Sequence, residues 1–545
     1  MFGDALPRGA TRRATASELR EAWTGPGAIT AAHTAARTVA HSATFDGYFA
    51  GVAVRGEQIV LGGDLMGLFP LYVAARGDVY VASSTPAVFA SHPAVDCTFD
   101  VDGLVSYLLT GGPFDGRTVQ AGVRRVAAGA LAKWRRGGQL EEVTTFRWPS
   151  GPVDASLSFH EQLARFDAAQ ADAVRRHTGV HERINILLSG GRDSRTLAGY
   201  LAESGRSAST ITLGAPTDHD VRCAAGVARA LGMPHAVRPV PFDPFVAYAD
   251  RCVEWERHSV SMSSVHTWAG VEAFASLGGG LLSGYMADVR HLPPRPATRE
   301  AMLQWAAGRA IAPDMLTRLL RAEHRPLVAE VMARVHAAYD ALGADEGARG
   351  DAHGDAPALS SDASWRWFMA VYMRFHAGAV PWRLSFGAWP VMPIIDQAFL
   401  EATLSIPLAM IANRTMQDAV LRTRFPALAR VPLDRNAHDT RPLVENWRSR
   451  LASATQRFRS PTTAVEQRFY VRMYDFDNPG WRAIRESAEP GRTVMTAWFD
   501  ADALASIVPS PSHVVAHADP IAEGFGPKML TGLMRGLVLA KERSR

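Results

Sequence analysis

The sequence predicts an α/β protein of two domains, and three observations carry that prediction. Over residues 1–150, short apolar segments (YFAGVAVR, QIVLGG, LYVAAR, DVYVASS) alternate with Gly/Asp turns, the pattern of antiparallel hairpins. The stretch Trp148–Ser156 (WPSGPVDAS) is rich in Pro, Gly and Ser and reads as a linker. Beyond it, apolar strands (INILLS, SASTITLG, GGGLLSG) are each followed by a turn and a helical period, which argues for a parallel sheet with helices on its faces. The predicted domains are therefore residues 1–150 and 157–545. Within the second, Leu342–Ser364 is rich in Gly, Ala and Asp and is expected to be a flexible loop between helices.

The composition supports a folded chain. Of the 545 residues, 47% are hydrophobic and 21% charged, enough apolar material for a core and too much for a disordered polymer. No apolar run reaches the ~18 to 20 residues needed to cross a bilayer. Met1–Arg20 is polar with no apolar leader segment. Three cysteines, Cys97, Cys223 and Cys252, lack metal-ligand spacing, and a reducing cytoplasm is the expected compartment. All but three of the 58 basic residues are arginine, yet the net charge is only +4 and no basic run interleaves with aromatics. Neither a nucleic acid nor a membrane is an expected partner.

The chemistry concentrates at Ile184–Arg195. An apolar strand runs into Ser189-Gly190-Gly191-Arg192-Asp193-Ser194 and a helix follows at once. Two glycines allow backbone N–H groups to approach a pyrophosphate, Ser189 and Ser194 add hydroxyls, and the helix start adds partial positive charge. Asp193 suits an anion site only if Mg²⁺ bridges it to the phosphates. The competing reading is a tight strand-to-helix turn capped by Asp and Ser.

Ser-Gly-Gly-x-Asp-Ser resembles the pyrophosphate loop of the AMP-forming ATP pyrophosphatases, and its surroundings resemble the asparagine synthetase B family. Asp220–His235 is similar to that family's helix after the second strand, and Leu281–Asp288 (LLSGYMAD) to its second phosphate motif. Pro393–Asp396 with Phe399–Glu401, and then Arg422–Arg435, resemble later stretches. Gly63–Tyr72 resembles the hairpin of the family's glutaminase domain. The resemblance implies an Ntn-hydrolase-like αββα domain followed by an adenine-nucleotide α-hydrolase-like synthetase domain. It implies ATP and Mg²⁺ as cofactors, with Asp193 and Asp288 on the metal. It also implies that the backbone at Leu187, Leu213, Ser283 and Gly284 lines the nucleotide.

The sequence departs from the family in three places. A working glutaminase of this type carries cysteine after Met1, whereas this chain has Phe2, so glutamine hydrolysis is expected to be lost and the N-terminal domain to serve as a scaffold. Tyr285 follows Gly284 where asparagine-forming members have Glu. This resembles the β-lactam synthetases, in which a Tyr–Glu pair deprotonates an amine; a phenol can act so, or it can simply pack. Glu323, Glu330 and Glu401 are the candidate partners. No lysine follows Arg422–Arg435, where the family stabilises an oxyanion. Either Arg435 supplies the charge, Lys528 folds back, or the chemistry differs, and Lys528 is expected to be solvated.

Other features are read more plainly. One acid of Asp218-His219-Asp220 is expected to cap a helix rather than bind metal. Trp365, Trp367 and Trp382 read as core or pocket lining, with substrate stacking as the alternative. Arg192 and Arg195 either reach a phosphate or substrate carboxylate or stand exposed on their helix. The implied activity is an ATP-dependent, AMP- and pyrophosphate-forming amide synthetase, of the β-lactam synthetase or lasso-peptide cyclase kind. A homodimer or a partner protease would accompany a lasso-peptide system. The alternatives are an ammonia-using asparagine synthetase and a nucleotide-binding scaffold without turnover.

Overall fold

The computed structural model describes residues 1–25, 44–146, 148, 154–258, 260, 262–286, 311–347, 365–434, 441–445, 447, 449–451, 468–513 and 525–543. The N-terminal strands are β1 (Phe2–Gly3), β2 (Phe49–Arg55), β3 (Gln58–Gly63), β4 (Tyr72–Arg76), β5 (Val79–Ser83), β6 (Arg124–Arg125), β7 (Ala130–Arg135) and β8 (Glu141–Thr144). They form two antiparallel sheets, ordered β1-β2-β3-β7-β8 and β5-β4-β6. The helices Ala16–Thr24 and Val101–Thr110 accompany them. All four hairpin segments read from the sequence are strands. The antiparallel N-terminal half expected from the sequence is therefore present.

The turn after β3 is organised by one buried carboxylate. Asp64 accepts backbone N–H bonds from Met66 (3.1 Å), Leu68 (3.0 Å) and Phe69 (2.7 Å). Gly67 sits inside this turn at φ +60°, which a glycine adopts without steric cost.

The second domain is a five-stranded parallel sheet. Its strands are β9 (Ile184–Leu187), β10 (Ala208–Leu213), β11 (His235–Arg238), β12 (Gly280–Leu282) and β13 (Trp389–Val391), ordered β11-β10-β9-β12-β13. From β9 the chain first adds strands on one side, then returns to add β12 and β13 on the other. The order reverses between β9 and β12, and in open parallel sheets ligands bind at the carboxyl ends of the strands flanking such a reversal. Topology alone thus directs attention to the loops after β9 and β12.

One sequence expectation is corrected. The first residues of Leu342–Ser364 are not loop: the helix Pro326–Gly347 runs through 342–347, carried on from the long helix before it despite the glycines there. Residues 348–364 of that stretch lie outside the described residues.

The two halves are joined through buried charge. Arg176, on the helix Phe159–Gly179, bonds Asp46 of the first half and Asp396 of the second, each at 2.6 Å, and all three side chains are at most 2% exposed. Its Nε donates to the Ala10 carbonyl at 2.9 Å. Asp396 also caps the helix Gln397–Leu404 by accepting the Phe399 N–H. A second arginine, Arg374, reaches back to donate to the carbonyls of Gly67 (3.1 Å) and Val126 (2.7 Å).

Removing one partner from such a network strands a buried charge, at a cost of about 3–5 kcal/mol. Arg176→Met is expected to lower the guanidinium unfolding midpoint accordingly, and Asp46→Asn with Asp396→Asn in the same protein to restore part of it. An unchanged midpoint in Arg176→Met would contradict this account of the interface.

Candidate active site

The loops after β9 and β12 meet in a cleft of about 450 Å³. Leu187, Ser189, Gly191, Arg192, Asp193 and Ser194 line it from the first loop, and Ser283, Gly284, Tyr285 and Met286 from the second. The loops are in contact: a Cβ on Gly284 would stand 3.1 Å from both the Asp193 Cβ and the Ser194 N, so glycine is needed there for close approach. Ser283 N–H donates to the Val391 carbonyl at 3.0 Å, and Tyr285 N–H to Ser283 Oγ at 3.2 Å. Opposite stand Phe368, Tyr372, Met373 and His376. The first three lie in the π-helical segment Phe368–Met373, a geometry often found at functional sites. Tyr470 and Asp434 complete the wall.

Internal bonds hold the first loop. Ser189 N–H donates to Ser194 Oγ at 2.9 Å, and the two hydroxyls are 2.9 Å apart. Gly190 N–H donates to buried Asp220 at 2.5 Å, and Gly191 N–H to Ser189 Oγ at 3.2 Å. Gly190 does not line the cleft. A Cβ there would meet Cys223 Cβ at 2.7 Å and Asp434 Cβ at 2.9 Å, so this glycine answers to packing against the helix His219–Ala230. Burial, and next the Asp434 charge, push the Asp220 carboxyl up to about 7. Asp218 occupies the N-cap position and binds Arg472 at 2.7 Å, while Asp220 serves the loop.

Neither loop arginine stands exposed. Arg192 donates to Asp418 with two nitrogens, at 2.5 and 3.2 Å. Arg195 is fully buried and donates to the carbonyls of Leu428, Val431, Gly190 and Pro432. Asp193 faces the cleft and accepts from Gln417 Nε2 at 2.5 Å and from Arg414 Nη1 at 3.3 and 3.4 Å. Sequence reasoning missed Arg414, Gln417 and Asp418. The available signal was a polar cluster at the start of the amphipathic helix Thr415–Thr423, just before the stretch compared with the family.

The family model for asparagine synthase matches residues 165–432, and that for a glutamine amidotransferase domain matches residues 32–146. Together these matches fit an asparagine synthetase B-like family. The chain is 28% identical over 282 residues to a carboxyethyl-arginine beta-lactam-synthase of Streptomyces clavuligerus, an alignment covering 50% of each chain. The chain thus spans about half the length of the curated relative it matches.

Within this asparagine synthetase B-like frame, Leu213 ends β10 in an apolar cluster and does not line the cleft. Asp288 and Arg435 lie outside the described residues. Trp365, Trp367 and Trp382 are buried away from the cleft. Glu323 pairs with Arg321 on the surface, Glu401 pairs with Arg8, and Glu330 is exposed; none lines the cleft. Among the described residues no carboxylate hydrogen-bonds the Tyr285 hydroxyl. Burial, then Tyr474 and Asp220, push that phenol above its ordinary range and favour the protonated form.

Lys528 corrects the expectation of a solvated side chain. It is fully buried on the helix Phe525–Arg543, donates to the Tyr474 carbonyl, and lies over the rings of Tyr474 (5.2 Å), Trp481 (5.3 Å) and Phe525 (5.7 Å). An amphipathic helix hides such a residue when aromatic faces replace water around the ammonium. Lys528 does not line the cleft. Burial pulls its pKa down to about 7. Between that value and the ordinary 10.5, the unfolded chain binds a proton that the folded one releases. Stability should therefore fall as pH drops from about 10.5 to about 7 and level off below. Lys528→Met is expected to flatten the melting-temperature slope between about pH 8 and pH 10; a slope equal to wild type would show that another group sets it.

Proposed function

We propose that this chain is an ATP-dependent amide-bond synthetase that activates a carboxylate as its acyl-adenylate and closes it with an amine. The observation that carries this reading is the meeting of the Ser189–Ser194 and Ser283–Met286 loops at the reversal of the sheet, with Asp193 facing the cleft between them. The donor set fits Mg-ATP. It offers serine hydroxyls, a helix start and one forward carboxylate, and among the described residues no group of three ligating side chains forms a closed metal cage. Mg²⁺ keeps most of its shell for water and phosphate and takes one or two protein carboxylates. When bound, it would neutralise phosphate charge. Asp193 would hold it, with Asp288 as the second acid that the family resemblance implies.

The chain's own residues then have separable tasks. Ser189 and Ser194 orient the phosphates so that the substrate carboxylate oxygen attacks the α-phosphorus and the α–β P–O bond breaks. Pyrophosphate and an acyl-adenylate result. In the second step an amine nitrogen attacks the acyl carbon, AMP leaves with the C–O electron pair, and the nitrogen sheds a proton. Tyr285, at the junction of the loops, takes part in that proton movement as a neutral phenol, accepting from the amine as it passes its own proton to the phosphate of the departing AMP. The amine comes from a source other than glutamine. The only cysteine in residues 1–150 is Cys97, which packs against the buried cluster of Tyr72, Ala74, Phe89 and Val123 and whose thiol pKa burial raises. Tyr285 and the similarity to a beta-lactam-synthase favour ring closure within one substrate, in specialised metabolism.

Two substitutions test this. Asp193→Asn removes a metal ligand and is expected to abolish pyrophosphate release with any carboxylate that supports wild-type turnover; undiminished release would exclude the metal role. Tyr285→Phe is expected to keep carboxylate-dependent exchange of labelled pyrophosphate into ATP while amide formation falls about 10²- to 10⁴-fold. Loss of both activities together would place the phenol in substrate binding instead.

A further inference from the structure

The Arg414–Asp193 contact differs from its neighbour. Arg192 and Asp418 form a short two-nitrogen pair, whereas Arg414 spans both oxygens of Asp193 with one nitrogen at 3.3 and 3.4 Å. Charge-assisted pairs at rest are shorter, at about 2.7–2.9 Å. The same nitrogen also donates to Gln417 Oε1 at 3.2 Å, and Gln417 Nε2 bonds Asp193 at 2.5 Å. Both charged side chains are about one-fifth exposed (23% and 22%), and both line the cleft. The backbone bringing Arg414 there is strained. Asn413 and Arg414 have φ of 56° and 64°, two successive left-handed residues without a glycine. Such conformations persist only where the surroundings impose them, and they gather at ligand clamps.

We propose that Arg414 is an exchange clamp, bound to Asp193 while the cleft is empty and transferred to a phosphate of the nucleoside triphosphate when a divalent cation takes Asp193. This rests on the nucleotide reading above and extends it to a residue outside both phosphate motifs. The logic is charge replacement. Asp193 needs a positive partner in the empty cleft, and the metal supplies one in the loaded cleft. The guanidinium released from Asp193 then faces a polyanion within reach of the same loop, and its planar donors suit phosphate oxygens. Two signatures follow. Arg414 should matter to the β- and γ-phosphates and not to the nucleoside monophosphate. It should also compete with a metal added alone.

The test is calorimetric titration of wild type, Arg414→Ala and Arg414→Lys with ATP and with AMP in the presence of Mg²⁺, together with Mn²⁺ binding without nucleotide followed by electron paramagnetic resonance. Loss of one charge-assisted phosphate contact is expected to weaken ATP by about 10- to 100-fold in Arg414→Ala. AMP should stay within about twofold, which also shows that the cleft is still folded, and Arg414→Lys should recover part of the loss because it keeps the charge. Mn²⁺ alone should bind tighter to Arg414→Ala than to wild type. Equal weakening of ATP and AMP, or unchanged ATP binding, overturns the clamp, and unchanged Mn²⁺ affinity overturns the exchange. Wild-type protein that does not bind Mg-ATP at all overturns the nucleotide reading and the clamp with it.

Discussion

The site depends on how one buried charge, Arg195, is accommodated. A guanidinium without solvent exposure must have its donors met by protein, or it costs several kcal/mol. Here four carbonyls receive it: one from Gly190 in the Ser189–Ser194 loop and three from Leu428, Val431 and Pro432. That arrangement fixes the loop against a segment more than 230 residues later. Asp434 follows on the same segment and donates its N–H to the Gly190 carbonyl at 3.0 Å. Asp220, close to Asp434, receives the Gly190 N–H. Gly190 is thus held through both its N–H and its carbonyl, and the loop is shaped from behind before any ligand arrives. Preorganisation of this kind is what lets a site bind charge without rebuilding itself.

The N-terminal half fits the role of a support in the same physical terms. Its Asp64 turn presents the Gly67 carbonyl to Arg374 and Arg125. Arg374 directly follows the π-helical segment that forms one wall of the cleft. The grip on Gly67 therefore fixes the position of Tyr372, Met373 and His376. Burial, reinforced by neighbouring Arg125, depresses the Arg374 pKa to about 9, so the arrangement carries an electrostatic cost that the carbonyl bonds and Asp64 offset. The Arg176 network with Asp46 and Asp396 adds a second tie. These contacts give the N-terminal half a structural role at the wall of the cleft.

Much of the fold was legible in the sequence because it is locally encoded. Alternating apolar positions mark β2 to β5, and the apolar runs ending in Ser-Gly mark β9 and β12. The loop at Ser189–Ser194 was legible for the same reason: strand, glycines, acid and helix are contiguous. What the sequence did not reveal is who pairs with whom across the fold. Arg192 finds Asp418 and Asp193 finds Arg414 and Gln417, partners more than 220 residues away. Gly190 resembled a residue that frees its N–H for phosphate, but that N–H is bound to Asp220 from behind. Lys528 carries the residue type of a solvated surface position, and only the aromatic rings gathered from Tyr474, Trp481 and Phe525 explain its burial.

The central claim is that this cleft splits ATP between its α- and β-phosphates to activate a carboxylate for amide formation. The most direct measurement is phosphorus NMR of the nucleotide products, taken with purified protein, Mg²⁺ and ATP across a panel of amino-acid-derived carboxylates that carry an internal amine. The account predicts that whichever carboxylate triggers turnover yields AMP and pyrophosphate in equal amounts. ADP and inorganic phosphate as the products would contradict it, because a chemistry centred on the γ-phosphate would mean that the two loops position the wrong phosphorus for an acyl-adenylate.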